Sequence, residues 1–117
     1  MALKSSLSLI TRRIGGAVKT AAARFSLLPD EYALAGTFDD HSDRISLTIG
    51  TDRSIDDRGL YSAVLDEIER SLPEIPHIND HIGIVIRNVR NLDDIYLEAI
   101  GEGDELDLSA FWRVTQQ

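Results

Sequence analysis

The sequence predicts an α+β domain: a two-layer sandwich in which a mixed sheet of four or five strands carries one packed helix, preceded by an N-terminal amphipathic helix. Three stretches support it. Residues 44–51 alternate apolar and polar side chains, residues 57–72 carry apolar side chains at helical spacing, and residues 81–89 form a short apolar run. A strand, a helix and a second strand in that order make the unit around which the chain is arranged.

The 117 residues, 43% of them apolar, suit one domain with a single core. There is no cysteine, which excludes disulfides and thiolate metal sites. No run approaches the ~18 consecutive apolar residues that signal a membrane-spanning helix, because Lys4, Arg12, Arg13, Lys19 and Arg24 interrupt the most hydrophobic stretch. Those five are the only charged side chains in residues 1–29, whereas residues 30–117 hold seven Arg against all twenty Asp and Glu. The charge therefore divides the chain into a basic amphipathic segment, 1–29, serving docking or targeting, and an acidic α+β domain, 30–117.

In the first segment Leu3, Leu7, Ile10, Ile14, Val18, Ala21, Phe25 and Leu28 recur every three or four residues and form one stripe on a helix. Arg12 and Lys19 lie opposite the stripe, and Lys4, Arg13 and Arg24 flank it. Gly15 and Gly16 predict a kink or a two-helix hinge, and Pro29 closes the element.

Residues 31–38 place Tyr32, Leu34, Gly36 and Phe38 on one face of a first strand. The polar stretch 39–43 turns it into Arg44 as an antiparallel hairpin. In the strand that follows, Ile45, Leu47 and Ile49 face the core and Ser46 and Thr48 face water. Ser54, three residues before Asp57, has the spacing of a capping box. The helix it starts buries Tyr61, Val64, Leu65, Ile68 and Leu72, turns Asp66, Glu67, Glu69 and Arg70 to the opposite side, and ends at Pro73. The run from His81 to Val89 is apolar on both faces through Ile82, Ile84, Val85 and Ile86, which predicts a central strand covered on both sides. Beyond it, residues 92–100 suit either a short helix or a strand paired with residues 106–114, and the strand is preferred because it enlarges the sheet. Phe111 and Trp112 are expected in the core or against a partner.

Chemistry is sparsely represented. His77, Asp80 and His81, with His41 and the aspartates of the first hairpin, would make a mixed metal site if their two loops met. Asp and Asn are equally ordinary turn formers there. The turn 50–54 enters a helix, but Asp52, Asp56 and Asp57 would repel a phosphate and the P-loop spacing and Lys are missing. No catalytic residue is assigned and no cofactor is expected.

The expected function is a non-enzymatic accessory or assembly subunit. The stripe packs on its own domain or on a partner subunit, and the subunit docks on a larger protein assembly, a second copy of itself or an anionic membrane surface through Leu3, Leu7, Ile10, Arg12, Arg13, Ile14, Val18, Lys19, Arg24, Phe25 and Leu28. Nucleic acid is disfavoured, since the acidic body repels phosphates. The alternatives are an organelle-imported domain whose residues 1–28 are a cleaved transit segment, and a metal-dependent enzyme built on the His/Asp loops. A cytoplasmic or organelle-matrix location fits these readings, with peripheral membrane attachment as a variant.

Overall fold

An amphipathic stripe buries itself on whatever apolar surface lies nearest, and here that surface belongs to the same chain. The computed structural model describes residues 3–39, 41–92, 95 and 104–105. Helix α1 (Leu7–Arg24) is preceded by a 3-10 turn at Leu3–Ser6. Strands β1 (Tyr32–Asp39) and β2 (Arg44–Thr51), helix α2 (Asp57–Ser71), a second 3-10 turn (Ile78–His81), strand β3 (Ile82–Asn88) and the two-residue strand β4 (Asp104–Glu105) follow. The sheet order is β3-β2-β1-β4, with β1 antiparallel to both β2 and β4 and β2 parallel to β3.

The class is α+β, with two helices and a mixed sheet of three full strands among the described residues. The strand expected over 106–114, most of 92–100, and Phe111 and Trp112 lie outside the described residues.

The stripe of α1 does not project from the domain. Ile10, Ile14, Val18 and Ala21 are fully buried in one cluster with Leu60, Val64 and Ile68 of α2 and with Leu34, Phe38, Ile45, Leu47 and Ile49 of the sheet. Helix α1 thus packs as part of the same core as the sheet and α2. The helix runs unbroken through Gly15 and Gly16, correcting the expected hinge. Its packed flank holds the turns together, and tertiary burial outweighs the roughly 1 kcal/mol that each Gly costs. It ends in a Schellman motif: Ser26 is left-handed at φ 59°, Ser26 N–H donates to Ala23 O at 3.1 Å, and Leu27 N–H donates to Ala22 O at 3.0 Å. This stop comes before Pro29, so Leu27 is buried and Leu28, expected in the stripe, is 62% exposed.

Polar contacts fasten α1 to α2. Arg13 donates to Ser71 O at the C-terminus of α2, where a cation complements the helix dipole, and also pairs with Glu74 at 3.8 Å. Arg24 pairs with Glu67, which Arg70 also approaches at 3.6 Å. Glu67, expected on the wet side of α2, is only 8% exposed. Its charge is tolerable there because two guanidiniums meet it.

The start of α2 also differs from expectation. The cap is Asp56, whose carboxylate accepts from Gly59 N–H at 3.1 Å, and not Ser54. The buried face is Leu60, Ala63, Val64, Glu67 and Ile68, and Tyr61, expected in it, is 42% exposed.

Strand β1 is buried on both faces. Its second face, Ala33 and Ala35, lies under Ile95 with Val89 and Leu92. There β2 has Gly50, where a methyl group would stand 2.3 Å from Ile95 Cδ1. The largest departure concerns β3. The strand expected at the centre of the sheet stands at its end, hydrogen-bonded to β2 alone among the described residues.

Two outcomes are expected from this packing. Deleting residues 1–28 removes part of the core, so the remainder will lose its cooperative thermal transition, and Ile14→Ala will cost about 2–5 kcal/mol by chemical denaturation. At Gly16, exposed and with open space around its Cβ position, Gly16→Ala will stabilise the protein by about 0.5–1 kcal/mol in the same measurement.

Candidate interaction edge

The residues expected to dock outward separate into three groups. Ile10, Ile14 and Val18 are core, and Leu7 and Phe25 pack partly buried against it. Arg13 and Arg24 are engaged by α2. Arg12 and Lys19 remain exposed on the outer face of α1 with Leu9, while Leu28 is exposed beyond its end. Leu3 sits in the preceding 3-10 turn, and its side chain lies outside the described residues. Of the surfaces expected to receive the stripe, its own domain is the one that covers Ile10, Ile14 and Val18. Among the described residues no helix is long and apolar enough to cross a membrane.

The histidine loops do meet, at one point. His81 Nδ1 lies 3.0 Å from Asp43 O and 3.8 Å from Asp43 Oδ2. Asp43 is left-handed at φ 53°, as is His77 at φ 58°. His41, His77 and Asp80 are exposed, and among the described residues no three His, Asp or Glu side chains converge on a point that could hold a metal. The hairpin tip is instead organised by Asp39. Hydrogen bonds from the Ser42 hydroxyl and the His41 backbone N–H hold its carboxyl below the ordinary value of 3.8.

Among the described residues, the outer edge of β3 has no strand beside it. The register pairs Thr51 with Asn88, and Val89 N–H donates to Thr51 O at 3.0 Å. Backbone groups alternate along a strand, so the odd-numbered residues of β3 turn theirs toward β2 while Ile84, Ile86 and Asn88 turn theirs away from the sheet. The side chains are apolar on both faces. Val85 is 54% exposed, and Ile84 and Ile86 are half-buried. Ile86 also forms one wall of a cleft of about 430 Å³ whose other walls are Asp57, Arg58, Tyr61 and Ser62 of α2. The cleft opens between the first two turns of α2, which approaches β3, and the Ile86 side of that strand.

Sequence reasoning placed β3 correctly in the chain and misjudged its neighbours. Two apolar faces are the pattern of a covered strand, and the same pattern on an edge leaves apolar side chains partly uncovered. The signal was present in Ile84, Val85 and Ile86. Its meaning depended on strand order.

The chain matches no known protein-family model, no curated protein sequence and no solved structure.

The Asp39 carboxyl is expected to titrate by NMR with a midpoint below 3.8, and Ser42→Ala to move the midpoint back up. Because ionised Asp39 is the form favoured by the fold, its contribution to the hairpin is present at neutral pH and is lost as pH falls through that lowered midpoint.

Proposed function

We propose that the protein is a non-enzymatic accessory or assembly subunit whose docking element is the open edge of β3. The observation that carries this reading is an apolar strand, Ile82–Asn88, at the end of the sheet formed by the described residues, with Val85 54% exposed. Natural edge strands are blunted with charge, proline or a bulge because an unpaired edge recruits another strand. None of those devices interrupts residues 82–86.

The amphipathic helix takes a different part from the one its sequence suggests. Its apolar stripe holds the sheet face that makes the edge rigid, and its free cations, Arg12 and Lys19, are available for a secondary contact with acidic groups of the same assembly. Inserting the stripe into a partner or a membrane would require α1 to leave the core, at the cost of exposing Ile10, Ile14, Val18 and Ala21.

Blocking the edge tests the reading. Ile86→Pro removes an outward N–H while keeping the ladder to β2, and Val85→Lys adds charge to the exposed face. Each variant is expected to keep wild-type far-UV circular dichroism and to elute from the native source as the free subunit, whereas the wild-type chain elutes in a larger complex. Both variants remaining in the complex would overturn the reading. Loss of the complex in an Arg12→Glu, Lys19→Glu double variant alone would return the docking element to α1.

A further inference from the structure

We infer that the β3 edge takes an acidic, extended segment of a partner protein, which pairs with β3 as an added strand. This rests on the edge being the docking element. It adds the chemistry of the occupant, and that chemistry follows from where the positive charge lies.

From Ile82 to Leu92 the chain carries Arg87 and Arg90 and no acidic residue, in a body otherwise dominated by Asp and Glu. Two more arginines reach this strip from neighbouring elements. A Cβ built on Gly83 would stand 3.3 Å from Arg44 Nη2, so the Arg44 guanidinium lies over the first half of β3 on the Val85 face. Arg58 lines the cleft beside Ile86 on the opposite face. Arg44, Arg58 and Arg87 therefore lie on or beside β3, Arg90 follows it by two residues, and Asp57 shares the cleft with Arg58. Arg44, Arg58 and Arg90 form no ion pair with the described residues, whereas Arg53 is held by Glu31 and Arg70 approaches Glu67.

The three requirements of strand addition are met at one place. Outward backbone groups at Ile84, Ile86 and Asn88 supply main-chain hydrogen bonds, Val85 on one face and Ile86 with Tyr61 on the other receive alternate apolar side chains, and the arginines select carboxylates between them. Elsewhere the acidic surface repels such a segment, so the field also directs it to the edge. A second copy of this chain is a poorer occupant. Edge-to-edge pairing would bring two sets of Arg44 and Arg87 onto one short ladder, and like charges across a strand pair are destabilising.

The test uses the full chain and two fluorescein-labelled, end-blocked heptapeptides, one alternating Glu and Val and one alternating Lys and Val. By fluorescence anisotropy at low salt the glutamate peptide is expected to bind at least about tenfold tighter than the lysine peptide, with the preference shrinking as salt is added. Its binding should protect the amides of Ile84, Ile86 and Asn88 from hydrogen exchange, and Arg44→Glu with Arg87→Glu should reverse the preference. Equal binding of the two peptides, or binding without amide protection, would overturn the inference. So would a concentration-dependent dimer in sedimentation equilibrium that Ile86→Pro abolishes, since the occupant would then be a second copy. If the glutamate peptide fails while Val85→Lys still releases the subunit from its native complex, the acidic partner is wrong and the docking edge stands. If Val85→Lys and Ile86→Pro leave the complex intact, the edge itself is wrong.

Discussion

The rest of this structure depends on how one face of the sheet is covered. Tyr32, Leu34 and Phe38 of β1 and Ile45, Leu47 and Ile49 of β2 present a continuous apolar surface, and a single fifteen-residue helix, α2, is too narrow to cover it. Helix α1 completes the layer, and in doing so uses the whole stripe Ile10, Ile14, Val18 and Ala21. At about 25 cal/mol per Å² of apolar surface buried, no exposed use of those side chains competes with this one. The contacts of Arg13 with the end of α2 and of Arg24 with Glu67 then set where α1 lies along α2. The basic segment reads as a free module only when it is considered without the surface it covers.

That arrangement decides what remains available. Strand β1 is buried throughout apart from Asp39, and β2 is paired on both sides. Helices α1 and α2 lie side by side, and β3 receives partial cover from α2 and, among the described residues, a strand neighbour on one side. An apolar strand in that position keeps Val85 in water and leaves a cleft next to Ile86. The stable part of the molecule and its reactive edge are thus two results of one packing solution. The arginines along β3 give the edge a sign opposite to that of the body, which on the proposed reading would make a strand-pairing surface selective.

The hairpin and the histidine loop illustrate a more local kind of organisation. Asp39, Ser42 and the His41 amide close the β1–β2 turn among themselves, and His81 ties the start of β3 to Asp43. Residues that look like metal ligands in sequence here serve turn geometry. Polar side chains in short loops satisfy nearby backbone groups before they assemble into a site.

Local pattern by itself determined the elements: the alternation of 44–51 made β2, the spacing of 57–72 made α2, the polar stretch after Phe38 made the hairpin, and the period of the N-terminal stripe made α1. Each is legible because side-chain periodicity is a property of neighbours in the chain. The sequence also established that one flank of α1 must be buried. It could not say against what, and so packing on its own domain and docking on a partner remained alternatives until the burial of Ile10, Ile14 and Val18 in the core chose the first. Strand order had the same status: Ile84, Val85 and Ile86 specify an apolar strand whether it lies inside the sheet or at its edge, and the exposed position was decided by β1 and β2 pairing with each other under two helices. Periodicity records that a face leaves water, whereas the identity of what covers it, and the face left uncovered, follow from contacts between residues far apart in the chain.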